Sequence, residues 1–294
     1  MPRLPRFKRS PEIPPLRLTS RDGEILKCLH RHRFLRSDHV ISLCSGSRQQ
    51  ILRRLQRLYH HGYLERPHCQ IDYFHSGSRR IAYGLGHKGA AWLKRELALK
   101  FHQLEWKQKS NVGRLFLDHA LLVSDIMVAV ELACRNRKDI RLLAADELQA
   151  ADMREPFQWN VDIGQRRKIG VIPDRVFGLE CDGKTTWYCL EADRGTMPIT
   201  RGHLDQTSFQ RKLLAYAATW SQNLHRTRFG WQRFRVLTVT TSAQRVQGIK
   251  QACQDLANGH GLFLFLDAVA MAQQRDILAI PWQTSRPDKT ENLT

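Results

Sequence analysis

The segment Ile172-Pro-Asp-Arg-Val-Phe-Gly178, followed by Trp187-Tyr-Cys-Leu-Glu-Ala-Asp-Arg-Gly-Thr196, decides the fold of the larger part of this chain. It predicts two apolar strands that each end in carboxylates, Asp174 on the first strand and Glu191 and Asp193 on the second. Side chains two positions apart on a strand share a face, so we expect Glu191 and Asp193 to lie side by side. Asp174 joins them if the strands pair. Clustered carboxylates repel one another unless a cation, a proton or an arginine compensates them. The pattern indicates a metal site for phosphodiester chemistry, or the remains of one.

The charge of the chain is strongly positive and unevenly distributed. The formal net charge is +19 and the isoelectric point is about 10.1. Residues 1–100 hold 21 Lys and Arg against 7 Asp and Glu, a net charge of +14, whereas the other 194 residues carry only +5. A basic module that precedes a nearly neutral one points to nucleic acid or to an anionic membrane surface as the partner.

A membrane is the weaker of these two alternatives. The longest apolar stretch, residues 115–134, is interrupted by Asp118, His119, Asp125 and Glu131, and a membrane span needs about 20 predominantly apolar residues. The first residues lack the apolar run of a secretion signal. The seven cysteines include no Cys-x-x-Cys pair, which argues against a zinc site or a disulfide framework. We expect a cytoplasmic protein with reduced thiols and no membrane partner.

The first hundred residues predict a basic arm and a small helical module. Residues 1–15, rich in arginine and proline, predict a disordered arm, and residues 16–100 predict a separate domain. Apolar residues at helical spacing predict one helix after Thr19, a second from Ser37, and a third from Arg48 that Gly62 ends. Residues 71–74 and 80–85 could pair as a hairpin, and a helix from Lys88 to about Lys100 closes the module.

Three helices followed by a hairpin are typical of the winged helix-turn-helix, in which the third helix lies in the major groove of DNA. Arginine pairs with guanine and glutamine with adenine, so the base-edge candidates in the first turn are Arg48, Gln49 and Gln50. The phosphate candidates are Arg53, Arg54 and Arg57 on the helix and Arg79 and Arg80 on the wing. We expect double-stranded DNA as the partner. The alternative is a winged helix that contacts only protein and whose basic face is merely solvated.

Residues 101–280 predict a second domain with helices and strands in alternation. Long helices are predicted at 115–135, 205–224 and 243–258, and strands at 140–145, 169–177, 186–191, 234–240 and 262–266. This order, α-β-β-β-α-β-α-β, indicates a mixed sheet flanked by helices, and residues 281–294 read as a disordered tail. The fold class is therefore α+β or α/β. The sequence has no glycine-rich phosphate loop and no serine-hydrolase elbow.

Several motifs in order carry a family resemblance. They are Leu18-Thr-Ser-Arg-Asp-Gly-Glu-Ile-Leu26, Asp118-His-Ala-Leu-Leu-Val-Ser-Asp125, Ile172-Pro-Asp174, Leu190-Glu-Ala-Asp-Arg-Gly-Thr196, Lys212-Leu-Leu-Ala-Tyr216 and the strand ending at Thr241. With these motifs, residues 16–250 or so resemble the replication-relaxation family, found on plasmids and other mobile elements. The resemblance implies a role in replication, relaxation or mobilisation of DNA. It also implies a second domain similar to the PD-(D/E)XK nuclease fold, which has an α-β-β-β-α-β core.

One position departs from the nuclease pattern. A working PD-(D/E)XK site uses Asp and Glu to hold Mg²⁺ and a lysine to orient the attacking water. Asp174 and Glu191 match this pattern, but Asp193 stands where the lysine belongs. Lys212 could reach back from the next helix, or it could be an ordinary solvated residue.

Three functions stay open at this point. In the first, the chain is a DNA-binding protein of a mobile element whose nuclease-like domain is degenerate or weakly active. In the second, it is a Mg²⁺-dependent endonuclease with Asp174 and Glu191 as metal ligands and Asp193 and Lys212 completing the catalytic set. In the third, it is a winged-helix transcriptional regulator. A relaxase or a replication protein is the expected protein partner, and the sequence is compatible with a homodimer.

Overall fold

The computed structural model describes residues 4–71, 80–97, 112–144, 157–164, 167–203, 206–254, 256, 261–274 and 276–293. The fold is mixed α and β, as the sequence predicts. Contacts divide the chain into two compact units, Met1–Val128 and Ala129–Thr294, called here the N-terminal and C-terminal units. The domain boundary that we expected, between residues 100 and 101, lies outside the described residues.

The helices of the N-terminal unit begin where the sequence places them. They are α1 Ser20–His32, α2 Ser37–Leu43, α3 Arg48–His60 and α4 His87–Leu97. Thr19 forms a capping box with Asp22 at the start of α1, and Ser47 caps α3 by accepting from the backbone N–H of Gln50. The apolar stripes predicted for α1 and α3 are buried. Local capping and helical periodicity therefore account for these elements.

A three-stranded antiparallel sheet completes the N-terminal unit. Its strands are β1 Phe34–Arg36, β2 Leu64–Glu65 and β3 Ala82–Leu85, in the order β1-β3-β2. Ile71, the one described residue of the expected first arm of the hairpin, follows a 3-10 turn, His68–Gln70. The Gln70 side chain bonds both the N–H and the carbonyl of Ala82, and residues 72–79 lie outside the described residues.

The N-terminal segment differs from the disordered arm that we expected. Residues 4–15 form no helix or strand, but they contact the end of α3. Arg9 donates to the carbonyl of Tyr59 at 3.1 Å, and the backbone N–H of Ser10 donates to Nδ1 of His60 at 3.1 Å. Backbone groups at the end of α3 and its buried histidine thus hold the segment in place.

The C-terminal unit is built on a seven-stranded mixed sheet of order β12-β11-β10-β9-β8-β7-β4. The strands are β4 Ile140–Ala144, β7 Arg175–Cys181, β8 Lys184–Ala192, β9 Phe234–Thr240, β10 Phe263–Asp267, β11 Trp282–Thr284 and β12 Thr290–Glu291. β4, β7 and β8 pair antiparallel, whereas β8, β9 and β10 pair parallel. The turn between β7 and β8 uses Asp182 and Gly183, both at positive φ, which matches the twist of a tight hairpin.

Helices connect the parallel strands of this sheet. The long helix α5, Arg114–Arg135, precedes β4 and crosses the division between the two units, so only its last residues, from Ala129, belong to the C-terminal unit. Helix α6, Phe209–Ser221, and the short α7, Leu224–Thr227, lie between β8 and β9, and α8, Ala243–Gln254, lies between β9 and β10. Helix α9, Ala268–Gln273, follows β10. Trp159, Tyr216 of α6 and Phe234 of β9 are aromatic members of one apolar core.

Two expectations for the C-terminal unit were wrong. The single strand predicted at 169–177 is two strands in different sheets: β6, Lys168–Val171, pairs with β5, Trp159–Asp162, whereas β7 belongs to the large sheet. Pro173 separates them because proline has no N–H to donate to a ladder. The predicted disordered tail instead holds β11 and β12 at the sheet edge, with Trp282 fully buried and the carbonyl of Leu293 accepting from the Tyr188 hydroxyl at 2.8 Å.

Candidate functional site

The antiparallel pairing of β7 and β8 brings Asp174 to Glu191. Arg175 at the start of β7 lies opposite Leu190 near the end of β8. We had expected Asp174 to end its strand, but it lies immediately before the start of β7. The antiparallel direction still places both acids at the same end of the strand pair. The Asp174 N–H donates to the carbonyl of Leu190 at 3.0 Å, and its Oδ2 accepts from the N–H of Ala192 at 2.8 Å. These bonds fix the Asp174 side chain beside the end of β8.

Glu191 is buried, with 1% of its surface exposed, and α6 supplies both partners of its carboxylate. Lys212 Nζ donates to Oε2 and the Tyr216 hydroxyl donates to Oε1, each at 2.5 Å. Residues four apart on a helix share a face, which is why both reach one carboxylate. Lys212 is therefore not an ordinary solvated helix residue, the simpler of our two interpretations, although 35% of its side chain is exposed.

Burial and charge set the pKa values of this cluster. Burial raises the pKa of Glu191, and the neighbouring charge of Asp174 raises it further, while Lys212 and Tyr216 oppose this shift. Burial lowers the pKa of Lys212, but Glu191, Asp174 and Asp193 outweigh it and the net shift is upward. The pKa of Tyr216 is raised well above its usual value by burial and by Glu191. Lys212 thus stays a cation, and Tyr216 stays a neutral donor.

Asp193 belongs to a second ion pair, which sequence reasoning missed. Both of its oxygens accept from Arg245 of α8, one of them from Nη2 at 3.0 Å, and Thr240 Oγ1 donates to Oδ2 at 2.6 Å. Burial raises the pKa of Asp193, but the bonds from Arg245 and Thr240 outweigh it and the net shift is downward. Arg245 lies in the first turn after β9, the parallel neighbour of β8. A basic residue in that first turn was the available signal.

The carboxylates of Asp174 and Glu191 are the donor type that a hard cation such as Mg²⁺ takes. Among the residues that the structure describes, no group of three or more His, Cys, Asp or Glu is arranged to hold a metal. Mg²⁺ commonly binds through one or two carboxylates, with water and substrate phosphates as the other ligands. Asp174 and Glu191 are carboxylates of this kind. Both oxygens of Glu191 accept from Lys212 and Tyr216, as both oxygens of Asp193 accept from Arg245, and a carboxylate oxygen that accepts one bond keeps a second lone pair.

The candidate DNA-contact residues of α3 fall into two groups. Arg48, Gln49 and Arg53 are exposed on the outer side of the helix. Gln50 is also exposed, but its Oε1 accepts from the N–H of Ser47 at 3.3 Å, so its side chain serves the helix cap.

The other arginines are bonded within the N-terminal unit. Arg54 Nε donates to Asp22 at 2.8 Å, and Asp22 has no exposed surface. Arg57 donates to the carbonyl of Pro15 at 2.7 Å, and Arg80 pairs with Asp38. Arg79 lies outside the described residues. Carboxylates and a backbone carbonyl of the same unit thus accept hydrogen bonds from arginines that we had assigned to phosphates.

The chain is thus a mixed α and β protein in which two carboxylates and a lysine meet where β7 begins and β8 ends. Residues 26–231 match the family described as replication-relaxation. Because the match covers more than half of the chain, the protein belongs to the replication-relaxation family. No curated protein and no solved structure matches the chain. Within the described part of the chain, no helix is both long and apolar enough to cross a membrane.

Proposed function

We propose that this protein binds double-stranded DNA through the outer face of α3 and acts in replication, relaxation or mobilisation of a plasmid or integrative element. The observation that carries the proposal is the exposure of Arg48, Gln49 and Arg53 on one helix whose other arginines are bonded internally. The net charge of +14 over residues 1–100 and the family description support it.

The elements of the N-terminal unit suit this role. Three helices and a three-stranded antiparallel sheet, with α3 following a short turn after α2, are the parts of a winged helix. In that arrangement the N-terminal residues of the third helix contact base edges. Arg48 and Gln49 occupy this position, and Arg53, about one and a half turns later, suits a phosphate contact.

Duplex binding is tested with Arg48→Ala plus Arg53→Ala. We expect at least a tenfold loss of affinity for a fluorescent duplex at about 0.1 M salt. We also expect the slope of log affinity against log salt to fall by about 1, because Arg53 is the phosphate contact of the pair and each phosphate contact contributes about 0.9. Arg95→Ala is the matched control, since it removes an exposed arginine of the same unit from α4. Equal duplex affinities for the double variant and for Arg95→Ala would show that α3 does not contact the duplex.

A second candidate function, a Mg²⁺-dependent DNA endonuclease or nickase, is favoured by the contact between Lys212 and Glu191. With the separate two-stranded sheet β5-β6 and the short helix α7 set aside, the order α5-β4-β7-β8-α6-β9 has the α-β-β-β-α-β arrangement of the PD-(D/E)XK core. Lys212 provides from α6 the cation that position 193 lacks. The acid cluster therefore has the charge types that this chemistry uses, contributed by a different element.

The residues of the site would divide the work as follows. Asp174 and Glu191 would hold Mg²⁺, which polarises a phosphate and makes bound water more acidic. Tyr216 orients Glu191 through its hydroxyl, and Lys212 places a positive charge beside the same carboxylate. Asp193, held by Arg245, stabilises the turn after β8 and takes no part in the reaction.

Nicking of supercoiled plasmid in the presence of Mg²⁺ tests this second function. We expect activity that is lost in Asp174→Ala plus Glu191→Ala and reduced at least a hundredfold in Lys212→Met. Asp193→Asn should retain most of it. Nicking that persists in the double variant would be contamination. A wild-type protein that binds duplex DNA but never nicks it would exclude the endonuclease and favour a regulatory or accessory role.

A further inference from the structure

The segment from Gln206 to Gln254 contains no acidic residue. The whole chain has 28 Asp and Glu in 294 residues, so these 49 residues would hold about five at the average frequency. The segment carries eight basic residues instead: Arg211, Lys212, Arg226, Arg228, Arg233, Arg235, Arg245 and Lys250. The positive charge of the C-terminal unit is thus concentrated in α6, α8 and the residues between them.

Three of these basic residues are exposed and lie close together in the chain. Lys212, Arg235 and Arg245 pair with Glu191, Glu291 and Asp193, respectively. Arg226, Arg228 and Arg233 are exposed, on α7 and in the turn that follows it. Arg226 adjoins His225 and Arg233 adjoins Phe234, and the rings of His225 and Phe234 lie 5.3 Å apart. Arg226 and Arg233 thus adjoin the same pair of rings in the chain, and Arg228 follows Arg226 by two residues.

An exposed aromatic ring lies against the same pair of rings. Trp220, at the end of α6, has 37% of its surface exposed and is one of the few large apolar side chains that reach solvent among the described residues. Its indole stacks on the buried His225 ring at 4.5 Å with an angle of 2° between the planes. Phe234 supports both rings from the strand β9. The indole is thus held by a rigid aromatic base.

Further aromatic side chains pack against one another beside these rings. Phe229 stacks on Trp231 at 4.6 Å, and Trp231 stacks on Trp187 of β8 at 5.6 Å. The Arg228 guanidinium lies 5.5 Å from the centre of the Phe229 ring and donates from Nη2 to the carbonyl of Gln158 at 3.3 Å, a long contact at the surface. The carbonyl of Asp162 accepts from Gln222, and the carboxylate of Asp162 accepts from the N–H of Gly164 at 2.7 Å.

We propose that Trp220, Arg226, Arg228 and Arg233 form a binding surface for single-stranded DNA, named here the Trp220 surface. Exposed arginines attract the phosphate backbone, and a fixed indole stacks on a base only where that base is free of its own duplex stack. The combination of a stacking ring and three guanidinium groups favours an unpaired strand over a duplex. The Trp220 surface lies in the C-terminal unit and adds a second nucleic-acid contact to the duplex binding proposed for α3.

The test measures fluorescence anisotropy of a labelled oligothymidine of about 16 nucleotides with the full-length protein. For Arg226→Ala plus Arg228→Ala plus Arg233→Ala we expect at least a tenfold loss of affinity at low salt. The slope of log affinity against log salt should fall by about 2, because each single-strand phosphate contact contributes about 0.7. The matching triple change to lysine, which keeps the charge, should stay within about threefold of the wild type.

Variants of the ring test the stacking contribution. Trp220→Leu should weaken oligothymidine binding at least fivefold, and Trp220→Phe, which keeps an aromatic face, should weaken it less. Arg48→Ala plus Arg53→Ala should lower duplex affinity and leave the oligothymidine affinity within twofold, so failure of either proposal can be told apart. An alanine triple variant that stays folded by circular dichroism and binds oligothymidine as the wild type does would overturn the Trp220 surface. Loss of duplex affinity equal to the loss for oligothymidine would overturn its single-strand character.

Discussion

Each unit contains a buried carboxylate that forms an ion pair with a basic residue of a helix. In the N-terminal unit Asp22, with no exposed surface, is paired with Arg54 of α3. In the C-terminal unit Glu191, 1% exposed, is paired with Lys212 of α6. The sequence suggested an outward side chain in both cases, a phosphate contact for Arg54 and a solvated residue as one reading of Lys212. A buried charge without a partner costs several kcal/mol, so the nearest cation turns inward.

The two pairs differ in what surrounds them. Asp22 also accepts from Thr19 in the capping box of α1, so the Arg54 pair joins α1 to α3 and has a structural role. Glu191 lies beside Asp174 at a sheet edge, with Tyr216 as a further donor and a lysine that is more exposed than Arg54. The Arg54–Asp22 pair, which belongs to a helix cap, stabilises the fold. The Lys212–Glu191 pair, with a partly exposed lysine and a second acid beside it, has the charged groups of a candidate catalytic site.

The largest effect on stability is expected for Arg54→Ala. Removal of the arginine leaves Asp22 buried without its cation, and loss of one partner of a buried pair costs about 3 kcal/mol or more. Urea unfolding should show this loss as a lower midpoint. Arg53→Ala, which removes the neighbouring exposed arginine, should change the free energy of unfolding by less than about 0.5 kcal/mol. Similar losses in the two variants would mean that the Arg54 pair is not the link between α1 and α3.

An intermediate effect is expected for Lys212→Met. Tyr216 continues to donate to Glu191, and burial raises the pKa of Glu191, which favours its protonation once the lysine is removed. The free energy of unfolding should therefore fall by only about 1–3 kcal/mol. A double-mutant cycle with Glu191→Gln should show a coupling energy of at least about 0.5 kcal/mol, and additive single effects would contradict the contact.

The smallest effect is expected for Asp193→Asn, and it depends on pH. The folded-state pKa of Asp193 lies below its usual value, so its charge stabilises the fold above about pH 3.8 and this contribution is lost as the pH falls through the folded-state pKa. The variant should be less stable than the wild type at pH 7, and the difference should shrink below about pH 4. A difference that is constant from pH 7 to pH 3 would show that Arg245 does not hold this carboxylate charged.

Much of the fold was predictable from local pattern. Helix α3 is recognisable because a serine cap precedes residues with helical apolar spacing, and β9 and β10 are recognisable as apolar runs. The split of residues 169–177 and the edge strands β11 and β12 were not predicted. The strands β6, β11 and β12 have four, three and two residues, too few for a recognisable alternation of apolar and polar side chains, and only Pro173 gave a local signal.

The candidate site was predictable in its acids but not in their partners. Asp174 and Glu191 come together because neighbouring antiparallel strands share an edge, which the pattern of the two strands already suggests. The pairing of Lys212 with Glu191, of Arg245 with Asp193 and of Arg54 with Asp22 depends on which acids are buried. Burial is a property of the packed unit, so spacing in the sequence could not assign these cations.

The most direct test of duplex binding by α3 compares Arg53→Ala with Arg54→Ala in duplex-DNA titrations, because the two variants remove one arginine each from adjacent positions. The account predicts that Arg53→Ala weakens duplex binding at least threefold with unchanged stability. It predicts that Arg54→Ala lowers stability and, measured well below its unfolding midpoint, binds duplex within twofold of the wild type. The opposite order of affinities would contradict the assignment of the outer face of α3 to DNA.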